Sequence, residues 1–369
     1  MMKKILIPLF LFFYFISFSQ NPALSEKASV SILTCGRGDE LYTTFGHTAI
    51  RIKDSINHLD VVYNYGAFDF RIENFYLKFV KGDLQYFINA TSFEDFIFEY
   101  QSENREVVEQ TLNFSSIQKQ ELFELLNASL FSDERSYTYK FIDRNCTSMT
   151  VEKINKIIGS ELIQKVDDKS ISYRELLYPY FENHFYYKLG INIIFGAKTD
   201  TKAVKLFLPV ELMHSLSKAK SNGKPLVNKT EVIVKGLPLK KTFSFVDSSY
   251  FIALLLFLIV ITNKKPIFFT YLFVAGLLGL FLSLVGLYSL HKEILWNYNV
   301  LLFNPLFLIF PLLKSNWEKK AIIASLVMLG IYLMVMITKP HLFLMIPFII
   351  LNSYILYKLA VKLEQNTSK

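Results

Sequence analysis

Cysteine is scarce in this chain, with 2 residues among 369. That excludes a disulfide-framed fold, in which many bridges substitute for a thin core. No C-x-x-C or H-x-x-x-H spacing occurs, so the usual metal-ligand patterns are missing and neither a metal nor another cofactor is expected. Histidine is nearly as scarce, at 6 residues, which leaves few candidates for a general base. There is no internal repeat and no low-complexity segment. A basic face for nucleic acid is also missing. The formal charge of +8 belongs to the two ends of the chain, because residues 21–247 hold 28 Lys+Arg against 29 Asp+Glu. No nucleic-acid partner is expected.

Hydrophobic residues are abundant, at 52%, and they are unevenly placed. Residues 1–20, MMKKILIPLFLFFYFISFSQ, carry two lysines, an apolar run and then small and polar residues, which is the layout of a secretory signal peptide. No A-x-A-like cleavage site is present, so a retained anchor is the competing reading. From about Tyr250 onward five apolar stretches follow, at roughly 249–262, 266–290, 298–313, 320–338 and 341–360. A span needs about 20 apolar residues, so the first and third are short. Lys264 and Lys265 follow the first stretch, Lys314, Lys319 and Lys320 the third, and Lys358 and Lys362 close the fifth. The positive-inside rule puts these ends in the cytoplasm and residues 21–247 outside. The expectation is a multi-pass protein of the cytoplasmic membrane with an exported domain and a helical membrane domain over 248–362.

The exported part is long enough to bury its own core. SVSILT at 29–34, TAIRIK at 48–53 and DVVYNYGAF at 60–68 read as strands. NFYLKFVKGDLQYFI begins as helix or strand and ends as strand, and SFEDFIFEYQSENREVVEQTLN mixes helix with extended chain. SSIQKQELFELLNASL is an amphipathic helix capped by Ser115 or Ser116. In TSMTVEKINKIIGS, Met149, Val151, Ile154, Ile157 and Ile158 fall at near-helical spacing, with Asn145 as N-cap and Gly159 as stop. These elements make an α+β domain over 21–165, with 166–247 as an accessory segment containing a helix in ISYRELLYPYF.

Cys146 in DRNCTS is therefore expected at a helix start. Unpaired N–H groups and the positive end of the helix dipole there favour the thiolate. A neighbouring imidazole favours it further and carries its proton. Of the four exported histidines, His47 stands out. It follows Gly46 at the mouth of a strand, while His58 sits in a polar loop and His184 and His214 come late. Three other readings remain open from the residues alone: a buried inert thiol, a core histidine, and a Cys35–Cys146 disulfide in an oxidising compartment.

The blocks TCGRGDELYTTFGHTAIRI, VYNYGAFDF, NFYLKFVKGDLQYF and FIDRNCTS, in this order, cover about 30–160. The chain resembles the Lnb-like lipoprotein N-acyltransferase family of Bacteroides-type bacteria. More broadly it resembles the circularly permuted papain-like thiol enzymes, a group that includes lecithin:retinol acyltransferase and NlpC-like hydrolases. The resemblance implies a Cys146–His47 dyad in a permuted papain-like fold, with a polar orienter on the strand after the histidine. Asn64 is the candidate, since its amide oxygen can accept from the imidazole, and Tyr63 alternates with it. The candidate substrate-binding residues are Cys35, Arg37, Tyr63 and Asn145, joined by His291, Trp296, Asn297 and Asn299 from HKEILWNYNVLLFNP, where Asn304 also lies. That loop is expected on the exported side, and an interfacial aromatic belt is its alternative reading.

The resemblance further implies a phospholipid acyl donor, a diacylglyceryl lipoprotein acceptor and contact with membrane lipids, all at the periplasmic face of the inner membrane. A membrane-bound cysteine amidase, peptidase or lipase of the cell envelope uses the same dyad, and a non-enzymatic membrane scaffold is the reading from outside enzymology.

Overall fold

The computed structural model describes residues 23–237 and 243–367; the signal peptide expected at 1–20 lies outside the described residues. Seven strands form one antiparallel sheet: β1 (Ser29–Cys35), β2 (His47–Asp54), β3 (Leu59–Ala67), β4 (Gln85–Ser92), β5 (Val107–Leu112), β6 (Ser136–Thr138) and β9 (Val227–Val234). A two-stranded hairpin of β7 (Lys220–Ser221) and β8 (Lys224–Pro225) precedes the last of them. The order across the large sheet is β6-β4-β3-β2-β1-β5-β9. The helices of the exported part are α1 (Phe75–Lys81), α2 (Phe93–Ser102), α3 (Ser116–Phe131), α4 (Cys146–Ile158), α5 (Tyr173–Leu177), α6 (Phe185–Ile194) and α7 (Pro209–Lys218).

Strand alternation sends two sets of side chains to two cores. Val30, Ile32, Ile50, Ile52, Tyr63 and Tyr65 pack with Leu122 of α3, Ile154 of α4 and Leu212 of α7. Leu33, Ala49 and Val62 point the other way, against Phe96 and Tyr100 of α2. Fully burying an aliphatic side chain such as Ile154 contributes roughly 1.5–3 kcal/mol, which fixes α4 against the sheet.

Residues from the segment expected as accessory take part in this packing. β9 pairs with β5 from Val107↔Val234 to Leu112↔Val227, and Leu212 and Leu216 of α7 lie in the first core. The stretch from α7 to β9 completes the sheet and its core.

The C-terminal part contains α8 (Ser249–Thr262), α9 (Lys265–Tyr288), α10 (Ser315–Met336) and α11 (Leu342–Thr367). Three helices among the described residues are long and apolar enough to cross a membrane: Lys265–Tyr288, Asn316–Met336 and Leu342–Gln365. α8, with 14 residues, is shorter. The third apolar stretch, expected as a helix over 298–313, is instead broken into 3₁₀ turns at Tyr298–Val300 and Pro305–Leu312. Asn297 and Asn304 cap these turns, and Pro305 and Pro311 remove the N–H donors that an α-helix there would need.

Two joints hold the exported part to the helical part. In the first, Ser289 Oγ donates to Val80 O at 2.8 Å, the Leu290 N–H to Lys81 O at 2.7 Å and His291 Nε2–H to Phe79 O at 2.8 Å. Lys140 Nζ bridges Gly82 O and Leu290 O. In the second, Arg174, fully buried, donates to Asp200, Asn192 and the carbonyls of Phe195 and Gly196. Asp200 also accepts from Tyr298 at 2.9 Å and from Lys339 at 2.7 Å. The connections 289–304 and 337–341 therefore face the exported part. At the far end of the helices, Lys265 lies 3.9 Å from Glu318 and Tyr354 reaches Asn263.

Candidate active site

α4 begins at Cys146 because Asn145 closes a capping box with Ser148. Asn145 Oδ1 accepts from the Ser148 N–H at 3.0 Å, and Ser148 Oγ accepts from the Asn145 N–H at 2.8 Å. The cap is anchored as well as formed, since Asn145 Nδ2 donates to Phe141 O and Phe207 O, both at 2.9 Å. Thr147 Oγ1 meets Thr48 Oγ1 of β2 at 3.0 Å, which ties the helix start to the strand that carries His47.

His47 opens β2, opposite Cys35 in register. A side chain at Gly46 would collide with the Cys35 carbonyl oxygen, and Gly46 has φ +77°, so the turn into the strand requires glycine. The imidazole Nε2 lies 3.2 Å from Asn64 Oδ1. With Nε2 donating there, Nδ1 is the ring nitrogen left for the thiol. The two groups shift each other. Burial alone would raise the Cys146 pKa, but the charge and hydrogen bond of His47 outweigh it, with help from the Thr48 N–H and the Thr147 hydroxyl, and hold the thiol below its ordinary value. Burial would likewise lower the His47 pKa, but Cys146 and Asn64 raise it above the ordinary imidazole value. The arrangement favours a thiolate–imidazolium pair.

Gly66 has no counterpart in the sequence reading of the site. It sits at a register shift in β3, between Tyr65 and Ala67, with φ +103°. A Cβ there would stand 3.7 Å from Cys146 Cβ and 3.9 Å from His47 Cε1. The bulge removes side-chain bulk where the dyad meets. A lone glycine inside a strand pattern is the signal that points to it.

Residues 15–178 match the family model described as the Lnb N-terminal periplasmic domain. The matched stretch belongs to that family. The chain is thus a membrane protein with a periplasmic domain of the Lnb type, followed by apolar helices of membrane-spanning length. Comparison with curated proteins and with solved structures returned no match.

Within this Lnb domain the other expected site residues take varied places. Both cysteines are free, so no disulfide joins them. Cys35 is buried, which pushes its thiol up to about 12 against the smaller effects of Tyr100 and Arg105, and it sits in the core opposite His47. Tyr63 turns to the opposite face from Asn64, and its hydroxyl donates to Asn127 at 2.8 Å. Arg37 reaches Pro179 O at 2.7 Å and stacks over Tyr180, beside a surface pocket of about 250 Å³. Asn145 has its amide and backbone N–H committed to the cap and its anchors.

The loop residues likewise form the joints. His291 caps the end of α1. Asn297 Nδ2 donates to the carbonyls of Ile193 and Ile194, both at 2.8 Å, and Asn299 Nδ2 to those of Asn192 and Ile193. Together they satisfy the open end of α6. Asn304 binds Ser325 and Met328 of α10. Only Trp296, 87% exposed, leaves its side chain free on the surface.

Proposed function

We propose that this protein is a membrane-bound thiol acyltransferase that moves an acyl chain from a phospholipid through a Cys146 thioester to the N-terminal amine of a diacylglyceryl lipoprotein. The observation that carries the reading is the His47-paired thiol at a helix start, in a domain bonded directly to the ends of membrane-length helices. The order of histidine at a strand start, polar residue on the next strand and cysteine at a helix start supports a permuted papain-like site.

In the first half-reaction the Cys146 thiolate attacks the ester carbonyl of the phospholipid. The backbone N–H groups at the start of α4 face the developing oxyanion. The imidazolium of His47 gives its proton to the departing lysophospholipid oxygen as the C–O bond breaks, leaving the acyl thioester. In the second, the lipoprotein amine attacks the thioester carbonyl, neutral His47 takes a proton from the amine nitrogen, and collapse releases the amide and restores the thiolate. Asn64 holds the ring with Nδ1 towards the sulfur throughout. The acceptor competes with water, and a site held at the membrane surface favours the lipid-anchored amine.

The test is ping-pong kinetics. Enzyme preloaded from phospholipid should discharge to a diacylated lipopeptide with a free amine, and should retain its acyl group when that amine is acetylated. Equal release with the acetylated peptide, or with none, would make water the acceptor and the protein a lipase.

A further inference from the structure

We propose that the segment from Phe68 to Phe79 lies in the bilayer leaflet facing the exported domain and forms the track along which a lipid acyl chain reaches Cys146. The acyl-chain half of this proposal rests on the function proposed above; the placement in the leaflet does not.

The segment starts at the site. Phe68 is two residues beyond Gly66, which adjoins both members of the dyad. From Phe68 the rings continue in contact: Phe68 to Phe70 at 4.9 Å, Phe70 to Phe75 at 4.9 Å and Phe75 to Tyr76 at 5.4 Å between centroids. Moving outward, the rings become exposed. Phe70 is 58%, Tyr76 76% and Leu77 70% exposed, on one short helix and the loop before it. A continuous apolar surface of this kind marks a place where something apolar binds.

The far end of the segment identifies the occupant. The last carbonyls of α1, at Phe79, Val80 and Lys81, are bonded to His291, Ser289 and Leu290, the residues directly after the 24-residue α9. α1 therefore sits at the height where a membrane-length helix ends. At that height the neighbouring phase is the interfacial layer of the bilayer, where aromatic rings and lysine ammonium groups are both at home. Lys78 and Lys81 are in the last turn of α1; Lys81 pairs with Asp83, and Lys78 is suited to a lipid phosphate while the rings meet the chains. A bilayer lipid is the occupant that this continuity with α9 supplies.

The full-length protein in liposomes provides the test. In a Trp296→Phe, Trp317→Phe background, Leu77→Trp is compared with Ile117→Trp, an exposed position on α3. Lipids brominated on their acyl chains should quench the Leu77→Trp indole strongly and the Ile117→Trp indole hardly at all. Tyr76→Asp and Leu77→Asp, both at exposed positions, should slow acyl loading of Cys146 from liposomal phospholipid by about tenfold or more, because each places charge where apolar surface meets lipid. Equal quenching at the two positions would overturn the placement in the leaflet. Strong quenching with unchanged loading would overturn the acyl track. If wild-type protein gains no acyl group at all, the proposed reaction fails on its own, and the quenching comparison still decides whether the segment lies in the leaflet.

Discussion

At His47 both sides of one imidazole are used, Nε2 by Asn64 and the other side by Cys146, and the pair's protonation follows. The folded-state pKa of Cys146 lies below that of a free thiol and that of His47 above that of a free imidazole. Thiolate is thus present below the pH at which an ordinary cysteine ionises. Alkylation of Cys146 by iodoacetamide should reach its plateau below pH 9, the ordinary thiol value. In His47→Ala the midpoint should rise, because burial is then opposed only by the weaker effects of the Thr48 N–H and the Thr147 hydroxyl. An unchanged midpoint in the variant would separate the two residues. The positions of Cys146 at a helix start and of His47 at a strand mouth were legible from local pattern, whereas Asn64 entered through the family resemblance. The committed hydrogen bonds of Asn297 and Asn299 were not legible, because their partners are carbonyls of α6 about a hundred positions away.

α4 and its cap set the thiol in place. Asn145→Ala removes the cap and leaves the carbonyls of Phe141 and Phe207 without their donor. Loss of such a cap costs about 0.5–2 kcal/mol, and thermal unfolding should fall accordingly, with slower alkylation of Cys146 as the helix start frays. Unchanged stability would assign the end of α4 to core packing alone. Elements with a strong pattern were readable: the helix at 115–130 is observed as Ser116–Phe131 and the strand at 29–34 as Ser29–Cys35. β9 escaped notice because VNKTEVIV is an edge strand with most of its residues exposed, so burial imposes no apolar alternation on it. The stretch 298–313 reads as a spanning helix by hydropathy alone, and its asparagine caps and prolines decide otherwise.

Across the whole molecule, the two joints fix the site relative to the membrane helices. Asp200 joins Arg174 from the exported part to Tyr298 and Lys339 from the membrane connections. Asp200→Ala strands a buried guanidinium, and breaking a buried pair in this way costs about 3–5 kcal/mol. A large drop in melting temperature is expected, and a drop no larger than that of an exposed control such as Asp133→Ala would show the joint to be weak. The joints also imply a common side for the exported domain and the connection 289–304. In intact cells and a Cys146→Ala background, Trp296→Cys should be labelled by a maleimide that does not cross the membrane spanned by the helices. Labelling only after that membrane is permeabilised would contradict the topology. Lysine placement points to the same side from sequence, whereas the place of β9 in the sheet depended on strand pairing between residues more than a hundred positions apart.

The most direct test of the account is the intact mass of the protein after incubation with phospholipid alone. The wild type should gain the mass of one acyl chain, removable by neutral hydroxylamine as a thioester is, and Cys146→Ala should gain nothing. An acyl adduct of equal yield on Cys146→Ala, or no adduct on a wild-type protein whose thiol remains reactive, would contradict acyl transfer through Cys146.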